Sequence, residues 1–431
     1  MFFVLQNHNL CTARKGTILK RFVQLIVLIF ILFAFAKGAR GLTTTTLECE
    51  VLVAGGGAGL ICAAIQSARL GAETICVEKT FQLGGMLTTA DSKVIYSNYM
   101  PPTGLWGEFR GRLYEYYGGG GRFNTALADN TTFEPHVGSD IFRQMAEDEE
   151  NLNCYYGFRV VRILKGENRI TGGVFRNDND DNLVINTKIS IAADELGDFL
   201  NLSKDLEGLI AIEKGISAIH IENGCVNLLP CMMAAGQAAG AAAALSVIEN
   251  LEPREIPLRK LQQTLLDAKC WCLPFVDVPP ERWSFQAVQR AGLAGVLKGT
   301  GVPQERANRT FFDPEENVER IAAGESLAVC LSLDHPPTTT VCLEDRDFIP
   351  RSEAVQAVYE LLDSPLPAQN TPYYNDTSST HPAFAAIQFG YENSWFESWA
   401  EPPQFHPAQF ITREEFAALL DRSLDPFNTQ R

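Results

Sequence analysis

No Cys-x-x-Cys spacing occurs in this chain, although it carries 11 cysteines among 431 residues. Zinc sites and iron–sulfur clusters draw their thiolates from such close pairs, so no metal centre is expected. Histidine is scarce, with six residues in all. His136 and His220 are the ones near the motifs described below, and each reads as a structural or surface residue rather than an acid–base group. Basic charge is also short: 36 Lys and Arg stand against 52 Asp and Glu, a net charge of −16. With no basic patch to offset it, that balance opposes nucleic-acid binding. The apolar run from Phe22 to Ala36, interrupted only by Gln24, falls short of the ~20 residues of a membrane span.

That run has a different reading. Arg14, Lys15, Lys20 and Arg21 precede it and Ala34-Phe35-Ala36 ends it, the layout of a secretory signal peptide over residues 1–36. The expected location is secreted or extracellular, with a membrane anchor by an uncleaved segment as the alternative. Removing Cys11 with the leader leaves ten cysteines in an oxidising compartment. Cys330 and Cys342 flank a Pro- and Thr-rich loop and could close it; Cys270 and Cys272 are too close to pair; Cys62 and Cys76 read as buried small hydrophobes. Sequons at Asn130, Asn201, Asn308 and Asn375 are compatible with secretion. At 46% hydrophobic and 20% charged residues the chain has ample core, and two or three domains are expected.

What is present is most informative at residues 50–79. Glu-Val-Leu-Val-Ala-Gly-Gly-Gly-Ala-Gly-Leu, an Ala-rich stretch and Glu-Thr-Ile-Cys-Val-Glu-Lys read as strand, glycine turn, helix and second strand. This is the layout of a dinucleotide-binding βαβ unit, in which glycines let the backbone approach a pyrophosphate at a helix N-terminus. Glu78, followed by Lys79, lies about twenty residues after the turn, where a carboxylate accepts hydrogen bonds from ribose hydroxyls. The motif spacing fits Ala54, Gly56 and Gly59, with alanine in the first glycine place. Alternatively Gly55 and Gly57 are the first two and one residue is missing; Ala58 lies inside the turn either way.

Past the acid, Leu83-Gly84-Gly85-Met86-Leu87-Thr88 supplies a second glycine pair. Here the sequence resembles the FAD-dependent oxidoreductases of the glutathione-reductase-like fold, in the branch carrying Leu-Gly-Gly-Met-Leu-Thr. Phe133-Glu134-Pro135, Ala193-Asp194-Glu195-Leu196-Gly197-Asp198 and Met233-Ala234-Ala235-Gly236-Gln237-Ala238-Ala239-Gly240 are similar to further elements of that branch. The resemblance implies FAD as cofactor, held by Ala54 to Gly59, Glu78, Lys79, Gly84, Gly85, Met86, Gly197, Asp198, Gly236, Gln237 and Ala238. Val160-Val161-Arg162-Ile163 is an alternating strand of the kind whose backbone holds an adenine, and it reads mostly as core. By residue type alone Asp198 reads equally as a helix N-cap, and the small residues at 234–244 equally as a tightly packed core helix. The family has a long substrate-binding section between its Gly-Asp and its closing helix. About forty residues separate Gly197 from Gly236, too few for a mixed sheet, so that section is expected to be largely absent. No catalytic residue is assigned, and the small-molecule substrate is not identified.

A second pattern follows residue 270. Phe275-Val276-Asp277-Val278-Pro279 with Phe285-Gln286-Ala287-Val288-Gln289 recurs as Tyr374-Asn375-Asp376-Thr377 with Phe384-Ala385-Ala386-Ile387-Gln388, in the same register. Second helices are expected at Ile349-Pro350-Arg351-Ser352-Glu353 and Ile411-Thr412-Arg413-Glu414-Glu415, with about forty extra residues in the first copy, and Thr412 with Glu415 makes a capping box. The repeats resemble S-layer-homology modules, which implies cell-surface or polysaccharide contact; two diverged modules read equally as a packing appendage on the flavin domain.

The expected fold is therefore α/β: a three-layer βαβ FAD/NAD(P)-binding domain over 48–250, followed by a mostly α-helical repeat region over 270–425. Two functions stand open: a secreted FAD-dependent oxidoreductase, impaired if the substrate section is lost, or a non-catalytic extracellular or cell-surface binding protein retaining a nucleotide-fold remnant.

Overall fold

The structure is a computed structural model and describes residues 43–89, 102–118, 124–125, 128–129, 133–193, 206–216, 228–304, 307–334 and 348–428. The leader, Asn130, Gly197, Asp198, Asn201, His220 and Cys342 lie outside the described residues.

Five parallel strands form the central sheet, in the order Leu209–Ile212, Ile189–Ala193, Val51–Gly55, Thr74–Glu78 and Leu152–Tyr156. Val51 to Ala54 and Thr74 to Glu78 are buried throughout, because both faces of this sheet are covered. Alternation along the strand decides which cover each residue meets. Val51, Val53 and Cys76 pack into a helical layer built from Ala58–Arg69, Gly104–Tyr116, Pro135–Glu147 and Leu229–Glu249. Leu52, Ala54, Ile75 and Val77 face the other way, onto Ile163, Ile170, Phe175, Leu183 and Ile185. Those residues belong to a four-stranded sheet ordered Thr44–Glu48, Asn182–Asn186, Ile170–Arg176 and Arg159–Lys165. Helices, parallel sheet and second sheet make the three layers.

Leu229–Glu249 is 21 residues long and apolar enough to cross a membrane by composition, yet most of it is buried within the fold. Its small residues suit it to a core position. It lies along Ala58–Arg69, with Gly236 against Gly59 and Gly240 against Ala63.

The C-terminal region has a core of its own, including Phe275, Phe312, Phe405, Phe416 and Trp395. It is mostly helical: Leu258–Asp267, Phe285–Leu293, Arg320–Asp334, Arg351–Leu361, Phe384–Glu392 and Arg413–Leu424, with one hairpin of Thr300–Gln304 and Ala307–Phe311. The internal repeat is visible in its hydrogen bonds. Asp277 accepts from the Phe312 and Asp313 N–H groups, and Asp376 accepts from those of Phe405 and His406. Gln289 grips the Leu273 backbone, as Gln388 grips those of Tyr373 and Thr371.

One expectation needs correcting. The extra stretch of the first copy is no plain interruption, since Arg320–Asp334 is a helix that follows Phe312-Asp313-Pro314 as Arg413–Leu424 follows Phe405-His406-Pro407. Three chain segments, not two, therefore open onto helices, and they close a ring of backbone hydrogen bonds. Val318 N–H donates to Ile411 O, Ile411 N–H to Ile349 O, and Ile349 N–H to Val318 O, each at 3.0 Å. An arginine begins the helix after each: Arg320, Arg351 and Arg413. Arg320 pairs with Glu353 and Arg351 with Glu415, whereas Arg413 donates instead to the Phe312 and Lys298 carbonyls, because Ala322 stands where the third carboxylate would be. The repeated spacing was readable locally, whereas the ring joins segments that are far apart in sequence.

Candidate cofactor-binding site

The glycine turn sits at the carboxyl end of the central strand, where ligands of open parallel sheets bind. Ala54 is still strand, paired with Val77, and Gly55 lies beside Glu78. Gly55 and Gly57 have φ of 145° and 154°, outside the range L side chains adopt readily. Gly56 between them donates its N–H to the Ala193 carbonyl at 2.9 Å. A side chain on Gly56 would meet Lys79 Cε at 3.0 Å and Glu78 Oε1 at 3.1 Å, so turn and strand-end acid touch. Glu78 is 1% exposed, and its Oε1 accepts from the Thr80 N–H at 2.9 Å and the Thr80 hydroxyl at 3.0 Å. These bonds hold the carboxylate at the sheet edge.

The helix Ala58–Arg69 starts on Gly57, which supplies no side-chain cap, and its first turn has no acid. An acid comes from elsewhere. Glu213, 1% exposed, places Oε1 2.7 Å from the Gly59 nitrogen and accepts its N–H. A side chain on Gly57 would overlap both oxygens of that carboxylate. Glu213 follows the edge strand Leu209–Ile212, which reaches the same end of the sheet through Ile189–Ala193. Its backbone is left-handed, with φ of 58°. Sequence reading missed this residue, because Ile212-Glu213-Lys214-Gly215 looks like any polar turn. The usable signal was an acid directly after a short apolar strand in a parallel-sheet protein.

The other predicted residues are spread along this edge and behind it. Gly84 and Gly85 have φ of 104° and 52°, and a side chain on Gly84 would press on Thr88 and Phe142. Leu83 N–H donates to the Ser139 hydroxyl, which ties the loop to Pro135–Glu147. Met86 is exposed and opens the short helix Met86–Thr89. Lys79 is half-buried beside the turn. Gln237 is buried, accepting from Leu105 N–H at 2.9 Å and donating to Gln66 at 2.7 Å. Ala238 is half-buried on the same helix. Val161 is exposed at a bulge in Arg159–Lys165. His136 is exposed at the start of Pro135–Glu147.

Three of the thiols are not poised for chemistry. Burial pushes Cys49 up to about 11, Cys270 to about 12 and Cys272 to about 11, so all three are protonated and poor nucleophiles near neutrality. Cys62 and Cys76 are fully buried, Cys76 beside Cys154 on the neighbouring strand.

Among solved structures, the chain is similar to THI4 of Thermovibrio ammonificans, at 13% identity and a TM-score of 0.34, covering 52% of this chain and 98% of that one. It is also similar to the myxobacterial chondrochloren halogenase CndH, a variant of FAD-dependent halogenases, at 17% identity and 0.26, covering 34% and 37%. A geranylgeranyl bacteriochlorophyll reductase-like protein of Thermoplasma acidophilum follows at 18% and 0.23, covering 35% and 40%. None of the curated proteins matches the chain. The profile of the family described as FAD dependent oxidoreductase matches residues 50–204 and 201–265. With the match running from the first strand of the parallel sheet to the helix Leu258–Asp267, this chain belongs to the FAD dependent oxidoreductase family, and its cofactor is FAD.

Proposed function

We propose that the chain is a secreted FAD-dependent oxidoreductase acting on a small molecule, with a reduced substrate-binding section and a C-terminal repeat region that contacts a cell surface or polysaccharide. One observation carries the cofactor side of this reading: the glycine turn 55–57 and the buried Glu78 touch at the carboxyl end of adjacent parallel strands. The residues present fit the cofactor there. The turn carries no side chain of its own, and Glu78 offers a carboxyl group suited to ribose hydroxyls. The start of Ala58–Arg69 fits an anion, since it already holds the Glu213 carboxylate.

When bound, FAD supplies the electron-accepting ring. The chain supplies position: Gly55 to Gly57 admit the pyrophosphate, Glu78 orients the adenosine end, and the Gly84-Gly85 loop lines the approach to the ring. Gly197 and Asp198 belong to the same reading by resemblance. The short stretch between Gly197 and Gly236 supports the reduced substrate section. The purified full chain tests the proposal. Visible flavin absorption that bleaches with dithionite and returns in air supports it, and recovery of the protein from culture medium supports secretion.

A second reading is favoured by Glu213. A carboxylate seated where a pyrophosphate belongs suits a binding protein that kept the nucleotide fold without the cofactor. Colourless protein that takes up no added FAD would support it.

A further inference from the structure

We infer that the Glu213 carboxylate is a built-in anion that closes the phosphate cradle, so that FAD binds only when it is displaced and Glu213 sets the chain's cofactor affinity. The inference rests on the FAD reading above. Three observations meet at this residue. Its Oε1 takes the Gly59 N–H at 2.7 Å, one of the donors that a bound pyrophosphate uses at such a helix start. Its carboxylate fills the space beside Gly57, where a methyl group could not be placed without overlap, so the room freed by the glycine is taken up. It is 1% exposed, seated at the positive end of the helix dipole rather than left in solvent.

The geometry is that of competition. Two anions cannot share one N–H donor in a buried cradle, because like charges at contact distance repel strongly where water is excluded. The carboxylate is covalently delivered by the edge strand Leu209–Ile212, so it is present at a high effective concentration. Its backbone is left-handed at φ of 58°, a conformation glycine adopts without strain, so Glu213→Gly removes the carboxylate and keeps the turn. Glu213→Gln keeps size and acceptor but removes the charge.

FAD is titrated into the full-length wild type and both variants at low ionic strength, followed by calorimetry, with ADP and riboflavin as separate probes. Glu213→Gly should bind FAD at least ~10-fold more tightly than wild type, and Glu213→Gln should fall between them. ADP should show the same gain, because it carries the pyrophosphate, and riboflavin should show none. Equal FAD affinity in all three proteins would overturn the inference while leaving the FAD reading intact. An equal gain for riboflavin would also overturn it, since the effect would then lie outside the phosphate cradle. Absence of FAD binding in all three would instead remove the FAD reading and the inference with it. Should the glycine variant fail to fold, the wild type and Glu213→Gln decide the matter by the same comparison.

Discussion

Gly236 lies against Gly59 so closely that a methyl group on Gly236 would overlap the Gly59 carbonyl and stand 2.7 Å from its Cα. Backbone meets backbone where the helix Leu229–Glu249 crosses the start of Ala58–Arg69. Gly236→Ala should therefore push apart the two helices that frame the cradle. The expected loss is about 1–3 kcal/mol, which lowers the melting temperature by about 2–4 °C per kcal/mol. Differential scanning calorimetry checks it, and an unchanged melting temperature would contradict the close packing.

Arg351 and Glu415 make the buried ion pair of the C-terminal region, at 5% and 8% exposure. Arg351 also donates to the Phe405 carbonyl at 3.0 Å and stacks over Trp399. Arg351→Met leaves the Glu415 charge buried without its partner, and a loss of about 3–5 kcal/mol is expected. The exposed pair Arg159 and Asp178 gives the contrast: Arg159→Met should change stability by less than about 1 kcal/mol. Urea unfolding of both variants measures the difference.

Asp421 carries a pH dependence. Burial pushes its carboxyl up to about 6, with Asp425 adding to the rise and Arg290, whose Nε lies 2.9 Å away, opposing it. Unfolded, the group titrates near 3.9, so between about pH 4 and about pH 6 the folded chain binds more protons than the unfolded one. The contribution to stability therefore falls as pH rises through that window, by about 2–3 kcal/mol in all. Asp421→Asn should gain on the wild type by that amount between about pH 4 and about pH 7 in urea unfolding. A constant difference across the range would contradict the assignment.

The βαβ unit was legible because its signals are local: an apolar strand buried on both faces, turn glycines, and an acid on the next strand beside them. The capping box of Thr412 and Glu415 was legible for the same reason, and both of its hydrogen bonds are formed. The small residues at 234–244 allowed two readings by composition, and the structure sets Gly236 and Gly240 against a neighbouring helix. Glu213 was not legible, since its partner Gly59 lies 154 residues away and nothing in Ile-Glu-Lys-Gly records it. The ring of Val318, Ile349 and Ile411 was hidden likewise: three short segments, each unremarkable alone, are joined only by isolated bridges to one another.

Occupation of the cradle at Gly55 to Gly57 by FAD is tested by titrating FAD into the full chain and into Gly56→Val, with circular dichroism to confirm equal folding. A valine there would press on Glu78 and Lys79, which stand 3.1 and 3.0 Å from its Cβ position. Saturable one-to-one binding in the wild type that is lost in the variant is the predicted result. Binding that survives the valine unchanged would contradict it.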